Sequence, residues 1–234
     1  MIANDFLLLL FSTLSISMIH TITGPDHYLP FIALSKSGKW SLKKTLFWTF
    51  TCGLAHVASS ILIGFIAIGI GWSLSDSTFI EGIRGDFAAW LLFGFGLLYF
   101  LWSLYSLQQN KLHKHFEVDE AANIYVYEHR DGQTVMPDQK FIVTPWVLFF
   151  IFAMGPSEPI IPLLFYSALE QSTFQLLLLI LTYTLSTILV MEIIVLVGYY
   201  GTHYIQLPNF EKYIGIWSSL IIIICGAGML FLGW

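Results

Sequence analysis

Six long apolar runs dominate the chain, at roughly 6–34, 42–72, 86–107, 144–168, 173–200 and 213–233. Each reaches the length of about 20 residues that a helix needs to cross the hydrocarbon of a bilayer. No water is available there to complete backbone hydrogen bonds, so a spanning segment must satisfy them internally. The expectation is an all-α polytopic membrane protein of six transmembrane helices in one compact bundle. Only 11% of the residues are charged, against about a quarter in soluble domains. The charges fall in the connecting segments and form no basic patch for nucleic acid. The first partner is therefore the lipid bilayer, and a homo-oligomer is compatible with it. The opening Met1-Ile-Ala-Asn-Asp carries no Lys or Arg ahead of its apolar run. A secretory leader needs that positive region, so the first run is expected to be a retained span.

The polar connections set the orientation. Lys36, Lys39, Lys43, Lys44, Lys111, Lys114, Arg130, Lys140 and Lys212 fall on one side and Arg84 on the other. Lys and Arg accumulate in cytoplasmic loops, which places both termini outside, in a bacterial inner membrane. The polar stretch 109–143 separates two three-helix units, 1–108 and 144–234. It carries His113, His115 and His129, expected as a solvated loop. Asp76, Glu81, Arg84 and Asp86, between runs two and three, are expected to cap a helix start. Trp40, Trp48, Trp72, Trp102, Trp146, Trp217 and Trp234 fall mostly near run ends, where interfacial aromatics sit.

Two runs are interrupted. The first contains Gly24-Pro25-Asp26-His27-Tyr28-Leu29-Pro30 and the fourth Gly155-Pro156-Ser157-Glu158-Pro159-Ile160-Ile161-Pro162. Each proline removes a backbone N–H and obstructs the preceding helical turn. Broken backbone survives at membrane depth only where protein or a water-filled cavity satisfies it. The two Gly-Pro steps are 131 residues apart (155 − 24), and the same offset pairs Ser41 with Ser172, His27 with Glu158 and His56 with Thr187. Two successive units of three spans enter the membrane from opposite sides. That is the pattern of an inverted repeat, whose substrate site lies where the interrupted helices meet.

An ionisable residue inside a span marks a functional site by default, because a carboxylate there costs about 2.5–3.5 kcal/mol on the insertion scale. His20, Asp26, His27, His56 and Glu158 are the candidate metal ligands. Imidazole and carboxylate together suit Ni, Co, Zn, Fe or Mn. Cys52 shares a helical face with His56, and Cys52, Ser59, Ser157, Thr187 and Glu192 are candidates for the transport path. Glu192 is equally readable as a structural partner within the fifth run, and both cysteines, Cys52 and Cys225, as buried apolar thiols. The expected activity is transport rather than catalysis, with a divalent transition-metal ion as substrate and no resident cofactor.

The His20…Asp26-His27 pattern of the first run, followed by Gly53-x-x-His56-x-x-x-Ser60 in the second, resembles the nickel/cobalt permease family. It is similar also to that family's smaller relatives, the UreH-like membrane proteins and the sulfite exporter TauE/SafE group of the lysine-exporter-like superfamily. The resemblance implies a divalent-metal site between the broken helices, opened alternately to each side. Three rival functions stay open: export of sulfite or another small anion, a six-span thiol–disulfide carrier using Cys52 and Cys225, and a membrane metallo-enzyme. The proposed centre contains carboxylates and no Lys or Arg, which disfavours an anion. The dense histidine boxes of desaturase-like enzymes are absent.

Overall fold

The computed structural model describes residues 2–109, 113–118, 124–129, 143–157, 159–170, 172–204 and 213–232. In order they form α1 (Ile2–Thr23), a 3-10 turn (Pro25–His27), α2 (Leu29–Ser37), α3 (Leu42–Gly69) and α4 (Leu74–Gln109). There follow β1 (His113–Val118), β2 (Ile124–His129), α5 (Val143–Met154), α6 (Ile160–Glu170), α7 (Thr173–Tyr204) and α8 (Ile214–Leu232). Among the described residues, five helical stretches are long and apolar enough to cross a membrane: Phe6–Thr23, Leu42–Gly69, Leu74–Leu107, Thr173–Thr202 and Ile214–Leu232. This is the build of an α-helical integral membrane protein. The run expected as a fourth span, 144–168, forms no single long helix. It is divided between α5 and α6.

The two interruptions have local causes. At the first, the Gly24 N–H still donates to the His20 carbonyl at 3.1 Å, but its backbone is extended (φ −91°, ψ 91°). Pro25 then has no N–H with which to resume the helix. One tight turn follows, with His27 N donating to Gly24 O at 3.1 Å and Tyr28 N to Pro25 O at 3.3 Å. Pro30 falls in the first turn of α2, where a missing N–H is no loss. At the second, Gly155 N closes α5 by donating to Ile151 O at 2.9 Å. The chain turns through Pro156 and Ser157, and Ile160 N donates to Ser157 O at 3.1 Å as α6 begins.

Two expectations are corrected. The third span begins at Leu74, not near residue 86, so Asp76, Glu81, Arg84 and Asp86 all lie within α4. Only Asp76 caps: its carboxylate accepts from Ser73 N at 3.1 Å, and its own N donates to Ser73 Oγ at 3.3 Å. Glu81 and Arg84, three residues apart, pair with each other and are buried. Trp40, between α2 and α3, is buried in the core, with its carbonyl accepting from Tyr199 Oη at 3.1 Å. The connection expected as a polar loop contains the antiparallel pair β1–β2, in which His113 is the register partner of His129. Its segments, His-Lys-His-Phe-Glu-Val and Ile-Tyr-Val-Tyr-Glu-His, hold the β-branched and aromatic residues that favour strands. Lys140, Arg130, Lys212, Glu158 and Trp234 lie outside the described residues.

The helices pack in directional pairs. Along α1 and α2, Ser17 hydrogen-bonds Ser186, and Trp40, just beyond α2, meets Tyr199, so this strip runs parallel to α7. Along α3, Trp48 meets Trp146 (5.2 Å between ring centroids), His56 meets Phe152 (6.1 Å), and Ser60 Oγ accepts from Ser157 N (2.8 Å). The strip α5–break–α6 therefore runs parallel to α3 without reversing. Helices α4 and α8 are antiparallel and very close: a Cβ on Gly226 would lie 2.5 Å from the Phe93 backbone nitrogen. Small residues at such seams let backbones approach, which is how helices gain packing energy in lipid. Leu8, Phe11, Phe174, Val197 and Phe231 point outward, as a lipid-facing surface requires. Buried Thr13, Thr21, Thr45 and Thr49 return their hydroxyls to carbonyls four residues back.

Candidate metal centre

Three imidazoles meet at the first break. His20 comes from the last turn of α1, His27 from the 3-10 turn and His56 from the middle of α3. The His20 and His27 ring centroids are 4.9 Å apart at 82°, and those of His27 and His56 are 5.0 Å apart at 90°. One potential ligand atom from each of the three lies within 4.8 Å of the others.

The hydrogen bonds say which nitrogens are free. His27 Nδ1 is 3.1 Å from Gly24 O and 3.3 Å from Asp26 Oδ2. A carbonyl only accepts, so Nδ1 carries a proton, and in the neutral ring Nε2 offers its lone pair. His56 turns Nδ1 toward the second break, where a Cβ on Gly155 would lie 3.3 Å from it, and its ring is 6.1 Å from that of Phe152. Among the described residues, His20 Nε2, His27 Nε2, His56 Nε2 and Asp26 Oδ1 are all buried without a hydrogen-bond partner. Buried polar atoms are normally satisfied. Three imidazoles within reach of one another beside Asp26 in the same cavity wall describe a candidate ligand set, with Gly24 O as the outer partner that fixes the His27 ring.

These atoms line a cavity of about 440 Å³. Besides the three histidines and Asp26, its walls include Asp86 and Gly85 from α4, Phe152, Gly155 and Pro156 from the second break, and Met229 from α8. Among the described residues, no Lys or Arg lines it. Both breaks therefore border one space. Glu158 falls outside the described residues, so its relation to that space is not drawn.

The residues expected along a transport path are placed elsewhere. Cys52 is fully buried in the apolar core with Phe31, Leu34 and Met191. Ser59 donates to the His56 carbonyl at 2.9 Å. Ser157 pairs with Tyr183 Oη at 3.0 Å. Thr187 is buried, with an unpartnered hydroxyl, and Glu192 is half-buried; neither lines the cavity. Both thiols are free, and Cys225 Sγ lies 4.0 Å from Pro25 O at the back of the first break. The sequence did not foretell the part of Glu81 and Arg84. Arg84 Nη2 donates to Ser59 Oγ (2.8 Å), Ala153 O (3.0 Å) and Gly155 O (3.5 Å), and Ser60 Oγ donates to Glu81 Oε2 (3.0 Å). The signal was their three-residue spacing, which allows a self-neutralising pair.

Fold and cavity together define an α-helical integral membrane protein with a cluster of three histidines that could hold a metal ion. Compared with protein-family models, curated proteins and solved structures, the chain matches none of them.

Proposed function

We propose that this protein carries a divalent transition-metal ion across the membrane by alternating access at the three-histidine cavity. The observation that carries the proposal is the approach of three imidazoles, one ligand atom of each within 4.8 Å of the others, with their Nε2 atoms and Asp26 Oδ1 buried and unpartnered among the described residues. Nitrogen and carboxylate donors without thiolate suit late first-row divalent ions such as Ni, Co and Zn better than Mg or Ca. The absence of Lys and Arg from the cavity wall weighs against a small anion. Arg84, the nearest cation to the second break, is committed to Glu81 and to carbonyls.

Architecture supports a carrier. The unreversed strip α5–break–α6 alongside α3 is what one crossing would produce, giving six crossings with both termini outside. Exchange of the two halves turns the parallel pairing of α1–α2 with α7 into that of α5–α6 with α3. Such exchange is the relation an inverted repeat requires. The test is calorimetric titration of Ni, Co or Zn into detergent-purified protein. Wild type is expected to bind one ion per chain, with binding lost in His27→Ala. Equal titrations of the two would overturn the proposal.

A further inference from the structure

The second break is held by a built-in cation. Helix α5 ends in mid-bundle, where its last carbonyls have no intrahelical partner. The negative end of its dipole points there as well. Arg84, reaching from α4 and buried to 9% exposure, meets both needs by donating to Ala153 O at 3.0 Å and to Gly155 O at 3.5 Å. The same guanidinium donates to Ser59 Oγ at 2.8 Å, and that hydroxyl donates to the carbonyl of His56 at 2.9 Å. The loop closes on the other side, because the ring of Phe152, one residue before Ala153, lies 6.1 Å from that of His56, and a Cβ on Gly155 would come within 3.3 Å of His56 Nδ1. Glu81 supplies the counter-charge, braced by Ser60 Oγ. Ser60 Oγ also accepts the Ser157 N–H at 2.8 Å.

Resting on the metal-site reading of the cavity, we infer that Arg84 is the positioning residue for His56. By clamping the carbonyl end of α5 to the α3 turn that bears His56, it holds Phe152 and Gly155 against the His56 ring and aims Nε2 into the cavity. Arg84 touches no ion itself. A lysine at this position keeps the charge beside Glu81 but loses the planar fork that reaches three acceptors at once.

The test is a Co²⁺ titration of the detergent-purified full chain, followed by its visible ligand-field spectrum. It uses wild type, Arg84→Lys, His56→Ala and the double variant. Arg84→Lys is expected to weaken Co²⁺ binding about 10- to 100-fold, the usual cost of losing an outer-shell partner, and to change the spectrum. In the His56→Ala background the same substitution is expected to have no further effect, since the residue it positions is gone. Equal losses in both backgrounds, or unchanged affinity and spectrum in Arg84→Lys, overturn the inference while leaving the metal site standing. Absence of Co²⁺ binding by wild type overturns both. Should Arg84→Lys prove polydisperse, Ser59→Ala cuts the same link more gently. It is expected to shift affinity in the same direction, and an unaltered titration overturns the inference.

Discussion

A methyl group at Gly24 would come within 2.5 Å of His27 Nδ1 and 3.0 Å of Asp26 Oδ1. Glycine is therefore the residue that lets the broken backbone, the imidazole and the carboxylate occupy one small volume. Gly24→Ala is expected to displace both side chains and to lower metal affinity by about tenfold or more, with the protein still monodisperse. Calorimetry against wild type checks it, and an unchanged affinity would mean that His27 is not a ligand. The candidate ligands Asp26, His27 and His56 were legible in the sequence because an ionisable group in an apolar run has few structural excuses. The roles of Glu81 and Arg84 were not. Their charges stand in a polar stretch that resembles a connection, and only burial against Ser59, Ser60 and the α5 carbonyls reveals them as an interior pair. Ser157 drew notice from its place in the second break and Thr187 through the repeat offset, yet the first supports Tyr183 and the second lies off the cavity wall.

Breaks were the most readable feature of the elements, since Gly-Pro states its own consequence in a helix. Less readable was how far a helix runs. Helix α4 extends from Leu74 through four ionisable residues, because Ser73 and Asp76 cap it and Glu81 neutralises Arg84. The strands β1 and β2 were missed because their alternation is short and surrounded by polar residues. The closest element contact, α4 on α8, depends on Gly226 meeting the Phe93 backbone. Gly226→Val must push the two helices apart. It is expected to cost several degrees of thermal midpoint in detergent, as overpacking by about 1–3 kcal/mol does. An unaltered melting curve would show that the seam is not tight.

At the scale of the whole molecule, two propositions are separable. One is topological: α5 and α6 together make one crossing. Reporter fusions at both termini are expected to be active only on the outer face, whereas termini on opposite sides would leave five crossings and no inverted repeat. The other is chemical, and everything functional depends on it: both breaks border one cavity, and its open valences belong to imidazole. Anomalous diffraction from crystals of the protein soaked in Co²⁺ or Zn²⁺ tests it most directly. The account predicts one strong peak about 2 Å, the ordinary metal–imidazole distance, from the Nε2 atoms of His20, His27 and His56. A peak only elsewhere, or none at saturating metal, would contradict it.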